Sequence, residues 1–183
     1  STPSCFATVR IFDENNRSST AAMTMTDDSL IGMIIETRAC APFFKNGFVV
    51  GCADTREAIV IDPGDEVTEL IDAVSRLGLS VRHILLTHAH IDHAGGTAQL
   101  ARDLHLPIIG PHPGDQFWID GIAEQGRMFG FGQCESFVPD QWLGQGDKVQ
   151  VGDVTFDVQH CPGHTPGHVT TYCAADKIAF VGD

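Results

Sequence analysis

The stretch Thr87–Gly96 reads THAHIDHAGG and holds three histidines and one aspartate within six residues. It follows the apolar run HILL and precedes a segment with helical spacing, so it lies at the carboxyl end of a predicted strand, where open α/β sheets bind ligands. His88 and His90 are two residues apart and can point to the same side of an extended chain. Asp92 and His93 follow where the chain turns into the next helix. A lone histidine is more often structural, but gathered imidazoles with a carboxylate suit Zn²⁺, Fe²⁺ or Mn²⁺, which predicts a metal site here.

Apolar runs and helical spacings alternate on both sides of this stretch. Short apolar runs bounded by turn signals predict strands over residues 31–37, 46–53, 57–64, 81–88 and 106–110. Apolar residues at helical spacing predict helices over residues 67–77 and 95–105, and Gly78 ends the first of them. Strands that alternate with helices indicate an α/β fold.

The rest of the chain departs from this alternation. Residues 111–146 are rich in glycine and proline, and we predict an irregular segment whose aromatic rings either line a substrate pocket or only pack beneath a loop. Its large apolar side chains are Phe117, Trp118, Met128, Phe129, Phe131 and Trp142. Residues 147–161 and 169–183 predict β-hairpins. Residues 1–30 show little periodicity and are predicted to be an N-terminal extension, which leaves residues 31–183 as the domain.

The composition of the 183 residues limits the class of protein. With 43% hydrophobic and 19% charged residues, the chain has a globular rather than a disordered composition. A formal net charge of −13 would repel a phosphate backbone, so we expect no nucleic-acid partner. No apolar run approaches the roughly 20 residues that span a bilayer, so we expect no membrane association. The six cysteines are scattered without a C-x-x-C pair, which favours reduced thiols and a cytoplasmic location.

A metal ion usually takes ligands from a second place in the chain, and two candidates are present. The segment HCPGHTPGHVT carries His160, His164 and His168 in a proline- and glycine-rich turn between predicted strands. Asp183 ends the apolar run KIAFVGD, so it is another carboxylate at the end of a strand. Both places are candidates to complete the metal site.

With these motifs the chain resembles the metallo-β-lactamase superfamily. The family motifs are H-x-H-x-D-H after a strand, P-G-H-T-x-G-H, and a strand that ends in G-D. Three segments resemble the hydroxyacylglutathione hydrolase (glyoxalase II) branch of this superfamily: LLTHAHIDHAGG, CPGHTPGHV and FVGD. A fourth region resembles a compact bacterial subgroup of that branch, with the sequence FWIDG…RMFGFGQC…PDQWL. The resemblance covers about residues 32–183 and implies an αββα sandwich with two similar halves.

The resemblance also implies a binuclear metal centre, with zinc favoured and iron or manganese as alternatives. The implied ligands are His88, His90 and His164 for the first ion, Asp92 and His93 for the second, and Asp183 as the bridge between them. His168 is implied to be no ligand, and the remaining histidines are interpreted as structural: His83, His105, His112 and His160. Asp62 either orients a ligand histidine or forms an ordinary turn.

One departure from the family pattern concerns the end of the sequence. In the family, the second ion takes another histidine from further strands and helices, whereas this sequence stops at Asp183. We therefore expect that the C-terminal part of the sandwich is missing from the sequence and that the natural chain continues. The first sheet is then expected to lack a complete partner layer and to expose apolar surface.

The implied metal centre predicts a hydrolase. Two adjacent ions lower the pKa of a bridging water, so hydroxide would be available near neutral pH to attack a thioester carbonyl. Asp92 and Asp183 would position that hydroxide as catalytic residues, and an ion would stabilise the oxyanion. The predicted substrate is a small-molecule acyl-glutathione thioester such as S-lactoylglutathione. Lactone or β-lactam hydrolysis at the same ions, and a metal-binding fragment without catalysis, remain as alternatives.

Overall fold

Two β-sheets and one layer of helices form the part of the chain that this computed structural model describes, which is residues 9–12, 18–20, 32–40, 45–65 and 67–183. The strands in chain order are β1 (Val9–Phe12), β2 (Ser18–Thr20), β3 (Met33–Cys40), β4 (Lys45–Cys52), β5 (Glu57–Ile61), β6 (Ser80–Leu85), β7 (Ile108–Ile109), β8 (Lys148–Val151), β9 (Val154–His160), β10 (Val169–Cys173) and β11 (Ile178–Phe180). The helices are α1 (Val67–Leu77), α2 (Ile91–Ala94), α3 (Thr97–Leu104), α4 (Gln116–Asp120) and α5 (Ile122–Phe129).

The five-stranded sheet has the order β3-β4-β5-β6-β7 and contains the strands predicted in the first half of the sequence. Its first three strands pair antiparallel, whereas β5, β6 and β7 pair in parallel. Parallel strands need a crossover, and α1 provides it between β5 and β6, with Val67, Leu70, Ala73 and Val74 buried along one face. Gly78 follows α1 with a φ of +62°, a conformation that glycine adopts without strain. The predicted α/β order is confirmed.

The six-stranded sheet is antiparallel and has the order β2-β1-β11-β10-β9-β8. It contains both predicted hairpins, and Gly152 in the turn between β8 and β9 has a φ of +54°. It also contains β1 and β2, which lie within the first thirty residues, where the sequence predicted no strand. These strands have four and three residues, too few for a clear period-two signal. The proposed domain boundary near residue 31 stays a prediction.

The two sheets pack face to face around an apolar core. Phe48 and Ile61 from the five-stranded sheet meet Phe156 and Phe180 from the six-stranded sheet. The ring centroids of Phe48 and Phe180 are 5.4 Å apart with their edges facing, a favourable aromatic geometry. The six-stranded sheet thus covers the inner face of the first sheet. The prediction that the first sheet, without a complete partner layer, would expose apolar surface is therefore wrong for that face.

The helices of the described chain pack on the outer face of the five-stranded sheet. Val60, Ile84 and Leu86 on that face contact apolar residues of α1, α3, α4 and α5 in a second core. The resulting order of layers is helices, five-stranded sheet, six-stranded sheet. This is the predicted metallo-β-lactamase sandwich without an outer helical layer on the six-stranded sheet among the residues described. Nor does any helix in these residues have the length and hydrophobicity needed to cross a membrane.

Residues 111–146 contain more regular structure than the sequence predicted. A short 3₁₀ turn (Pro113–Asp115) leads into α4 and α5. The glycines of this segment separate the helices instead of abolishing them, because Gly121 lies between α4 and α5, and Gly130 ends α5 with a φ of +73°. Ile119 and Ile122 anchor the two helices in the helix-side core.

Candidate metal centre

The histidine-rich stretch runs from the end of β6 into α2, and we name its residues 87–93 the first histidine loop. It brings three ring nitrogens and a carboxylate to the carboxyl edge of the parallel strands. The backbone after it packs closely on the turn that follows β5, since a Cβ on Gly96 would lie 2.5 Å from the Pro63 carbonyl oxygen and 2.6 Å from that of Gly64. Glycine at position 96 thus lets the two strand ends approach each other.

The second histidine loop (residues 160–168) connects β9 to β10 and meets the first loop in space. His90 Nδ1 in the first loop and His164 Nε2 in the second are 3.0 Å apart. The ring of His88 lies 5.0 Å from that of His90 and 4.8 Å from that of His164, measured between centroids. The three residues offer nitrogen atoms within 4.8 Å of one another, so they can hold one ion.

A second group of possible ligands lies directly beside this one. Asp92, His93 and Asp183 offer atoms that also fall within 4.8 Å of one another. His93 Nε2 is 3.2 Å from Asp183 Oδ1, while the other carboxylate oxygen of Asp183 is 3.8 Å from His164 Nε2. Asp183 thus faces both groups. The structure brings together all six residues that the sequence predicted as ligands.

A chain of hydrogen bonds fixes the tautomers of two ring systems in the first histidine loop. Asp62 Oδ2 accepts from the Thr87 hydroxyl at 2.6 Å and lies 2.9 Å from His93 Nδ1. The Thr87 hydroxyl oxygen, having donated its proton, accepts from His88 Nδ1 at 3.0 Å. Both imidazoles therefore carry their proton on Nδ1 and present the Nε2 lone pair to the site. The geometry favours the orienting role of Asp62 over the turn-forming one.

This arrangement fits a divalent metal ion. His88 Nε2 and His93 Nε2 are buried and have no hydrogen-bond partner in the part of the chain described. In a neutral ring, His93 Nε2 is an acceptor that faces the acceptor oxygen of Asp183, and two acceptors at this distance repel each other unless a cation lies beside them. An unsatisfied buried acceptor costs about 1–3 kcal/mol, which coordination of a cation would remove.

Burial favours the neutral form of two histidines of the first group, His88 and His90. It lowers the pKa of His88 well below 6.5, and the other histidines around this ring lower it further. The pKa of His90 is lowered by burial and then by His164, against the opposing effect of Asp92. Because a metal binds the unprotonated imidazole, these shifts favour coordination at neutral pH.

The remaining histidines lie outside the two ligand groups. His168 is buried, with its ring centroid 5.1 Å from that of His88, and burial lowers its pKa. His160 stacks on His112 with 3.8 Å between ring centroids. His83 is buried in β6, and His105 ends α3 in a left-handed conformation. None of these belongs to a candidate ligand group among the described residues.

Five large apolar side chains of the segment 111–146 lie in three environments. Trp118 packs edge-on against the His90 ring, with centroids 4.8 Å apart, and Phe117 packs against Trp118. Phe131 is buried in the helix-side core. Met128 and Phe129 are exposed on α5. Trp118 is therefore the member of this set that contacts a ligand histidine.

Asp115 is a site residue that the sequence analysis missed. It is fully buried and accepts hydrogen bonds from both histidine loops. In the sequence it is one of 24 acidic residues, in a segment without a strand or helix pattern, so nothing marked it for this position.

The two-sheet sandwich and the histidine–aspartate cluster at the ends of its strands are the features that the sequence analysis predicted from its resemblance to a metal-binding superfamily. Comparison with known families supports the same assignment. Residues 41–183 match the metallo-beta-lactamase superfamily, and the chain belongs to it. A hydroxyacylglutathione hydrolase, GloC from Haemophilus influenzae, is 37% identical over 131 residues, which are 71% of this chain and 62% of that protein.

Two solved structures show the same fold. The B3 metallo-beta-lactamase BLEG-1 is 30% identical with a TM-score of 0.67, over 76% of this chain and 67% of that one. TTHA1623, solved in a di-iron-bound form, is 35% identical with a TM-score of 0.65, over 75% of this chain and 66% of that one. This chain spans about two thirds of the length of each of these similar proteins.

Proposed function

We propose that this chain carries the active site of a binuclear metallo-hydrolase that cleaves acyl-glutathione thioesters of the S-lactoylglutathione type. The observation that carries the proposal is the position of Asp183 between two adjacent ligand groups. The 37% identity to a protein named hydroxyacylglutathione hydrolase supports the thioester substrate.

The proposed ligands form two sets that share one carboxylate. His88, His90 and His164 would hold the first ion, Asp92 and His93 would hold the second, and Asp183 would be shared by the two. Zinc suits this mixture of imidazole and carboxylate ligands, and the di-iron form of a similar structure keeps iron as an alternative. When bound, such a pair of ions polarises a carbonyl group and lowers the pKa of water.

The side chains of the protein orient the ligand histidines, accept a proton from water and border the substrate. The Asp62–Thr87 hydrogen bonds hold the His93 and His88 rings in one tautomer, so no reorganisation is needed during turnover. Asp92 is partly exposed at the site, and its carboxylate can accept a proton from the attacking water and pass it to the departing thiolate. Water and thioester then yield a carboxylic acid and a thiol.

Trp118 is proposed to border the acyl group. Its ring contacts His90, and Phe117 extends the aromatic surface towards solvent. Apolar rings next to metal-binding residues can hold the acyl chain and exclude water while the polar groups orient the carbonyl. The free cysteines Cys52, Cys134, Cys161 and Cys173 support a reducing compartment, and we infer a cytoplasmic protein.

A second candidate function is β-lactam hydrolysis. The similarity to a B3 metallo-beta-lactamase, 30% identical over 76% of this chain, favours it. Both reactions need a polarised carbonyl and an activated water, so the metal ligands alone do not separate them.

Parallel kinetics on the full-length natural protein test the proposal. S-lactoylglutathione, an acyl-homoserine lactone and a β-lactam are assayed with the metal-loaded protein and again after chelation. We expect kcat/KM to be highest for the thioester and to vanish with the metal. A higher kcat/KM for either cyclic substrate, or thioester hydrolysis that survives chelation, would refute the proposal.

A further inference from the structure

The two histidine loops come from distant parts of the chain, so contacts between them must fix the distance that separates them. Their closest proposed ligands, His90 and His164, are separated by 74 positions in the sequence. One backbone hydrogen bond joins the loop regions directly, from the Val169 N–H to the Thr87 carbonyl oxygen at 2.8 Å. A second connection passes through Asp115 in the 3₁₀ turn Pro113–Asp115.

Asp115 binds both loops with one carboxylate. Its Oδ2 accepts from the Ala89 N–H at 3.0 Å and from the Thr165 hydroxyl at 2.8 Å. Its Oδ1 accepts from the Gly167 N–H at 2.7 Å. Ala89 lies between His88 and His90, and Thr165 directly follows His164 in the sequence. Each loop is therefore held within one residue of a proposed ligand.

The turn that carries Asp115 fits closely against the second histidine loop. The His112 N–H donates to the Gly167 carbonyl oxygen at 3.1 Å. A Cβ on Gly167 would lie 2.5 Å from Asp115 N, and one on Gly114 would lie 2.9 Å from the Pro166 carbonyl oxygen. Two glycines thus allow the backbones to touch, and the carboxylate has little freedom to move.

A carboxylate is better suited to this position than an amide. Ionised Asp115 is acceptor-only, and hydrogen bonds to a charged acceptor are about twice as strong as neutral ones. An asparagine would keep one acceptor oxygen and turn its NH₂ group towards either the Gly167 N–H or the donors from Ala89 and Thr165. The Gly167 hydrogen bond is lost in the first orientation and the Ala89 hydrogen bond in the second, so at least one of the three contacts of the carboxylate cannot form.

We propose that Asp115 is a positioning residue that sets the separation of the two histidine loops and thereby the geometry of the first ligand group. The inference rests on the proposed metal ligands but not on the substrate. It assigns a role to the segment 111–146 in building the metal centre, apart from any contact that this segment makes with the acyl group.

Metal binding by the full-length protein tests this role without an activity assay. Zn²⁺ affinity is measured by chelator competition, and the geometry of the site is read from the visible absorption of the Co²⁺-loaded protein. Asp115→Asn should lower the affinity of the tighter ion ~10- to 100-fold and alter the Co²⁺ spectrum, as expected when a partner that orients metal ligands is lost. The control Asp140→Asn removes a carboxylate from the same segment that anchors the Ile108 N–H at 2.8 Å, and it should leave both readouts unchanged.

Variants of Thr165 keep the test decisive if Asp115→Asn does not fold. Thr165→Val preserves shape but removes the hydroxyl donor, whereas Thr165→Ser retains it. We expect Thr165→Val to weaken metal binding and Thr165→Ser to restore it. Wild-type affinity and spectrum in Thr165→Val, or in a folded Asp115→Asn, would overturn the inference. A wild-type protein that binds metal but hydrolyses no thioester would refute the proposed substrate and leave the role of Asp115 standing.

Discussion

The two histidine loops hold their ligands in different ways. In the first histidine loop, His88 and His93 are buried, and Asp62 and Thr87 fix their rings from within the same sheet edge. In the second, residues 161–164 are exposed, and the His164 side chain keeps 32% of its surface accessible. The first loop is preformed by the packing of its own sheet, whereas the second depends on Asp115 and on the ion that it would bind.

Because of this difference, substitutions in the two loops should affect the stability of the fold and the binding of metal to different extents. A buried ligand contributes to the core as well as to the site, so its loss should affect both. An exposed ligand contributes mainly to the site. Paired substitutions in the two loops can therefore show how far the first loop is organised before metal arrives.

The largest expected effect comes from truncating one ligand in each loop. His88→Ala should empty the first metal site, abolish hydrolysis, and destabilise the metal-free protein by about 2–3 kcal/mol because it leaves a buried cavity. His164→Ala should also lose the first ion, but should change the stability of the metal-free protein by no more than about 0.5 kcal/mol. Metal content, turnover and urea unfolding of the chelated proteins check this.

A matched control is His105→Asn, which changes an exposed histidine at the end of α3 and should keep metal content and turnover. Equal destabilisation by His88→Ala and His164→Ala would contradict the contrast between the loops. Normal hydrolysis with metal retained in His88→Ala would contradict the ligand assignment itself.

The next-largest effect is expected from a substitution that disturbs the orientation of the His93 ring and leaves the histidine itself in place. In Asp62→Asn, the amide cannot accept from the Thr87 N–H, the Thr87 hydroxyl and His93 Nδ1 together, so the His93 ring loses its fixed tautomer. We expect the affinity of the second ion to fall about 10- to 100-fold. Chelator competition measures the loss, and Asp65→Asn, an exposed aspartate in the same turn, serves as the control. Equal affinity in both variants would show that the first loop does not need this support.

The strand edge and the histidine and aspartate cluster at its end could be predicted from the sequence because both depend on local patterns. An apolar strand followed by H-x-H-x-D-H encodes a buried strand and the ligands at its end in one continuous stretch. The turn at Gly152 and the stop at Gly78 were likewise predictable, because a positive φ favours glycine.

Features that depend on contacts between distant segments could not be read in the same way. Asp115 acquires its role only when the 3₁₀ turn reaches residues that lie 26 and 52 positions away. The helices α4 and α5 are short, so their stability comes from burying Ile119 and Ile122 in the core and not from intrinsic propensity. The pairing of β1 with β11 joins opposite ends of the chain, for which the local sequence carries no signal.

A smaller effect is expected at the aromatic surface beside the first histidine loop. Trp118→Ala removes the ring that packs on His90, so KM for the acyl substrate should rise about tenfold or the preference among acyl groups should change, with metal content unaltered. Phe129→Ala, on the exposed end of α5, should leave KM unchanged. Kinetics and melting temperature are measured together on both variants. Large destabilisation by Trp118→Ala with unaltered acyl preference would assign the ring to packing alone.

The last prediction concerns how the free energy of unfolding depends on pH, and it distinguishes the contribution of a sheet histidine from that of the loop histidines. His83 lies in β6, four residues before the first histidine loop, and burial lowers its pKa from 6.5 to about 4. The unfolded chain therefore binds more protons than the folded chain between these values, so the free energy of unfolding should fall as pH drops through this window. The expected loss from His83 between about pH 7.5 and about pH 5 is roughly 1–2 kcal/mol.

His83→Leu removes this titration from the sheet and keeps the loops intact. Because His83 Nε2 is buried without a partner in the described part of the chain, an apolar side chain of similar size should be tolerated at neutral pH. Urea unfolding of the chelated variant should show a shallower dependence on pH than the wild type, with zinc affinity unchanged at neutral pH. The slope that remains then includes the buried histidines of the loops, such as His88 and His168, whose pKa values are also lowered by burial. A variant with the full wild-type slope would show that the loops, and not the strand before them, cause the acid sensitivity of the metal-free fold.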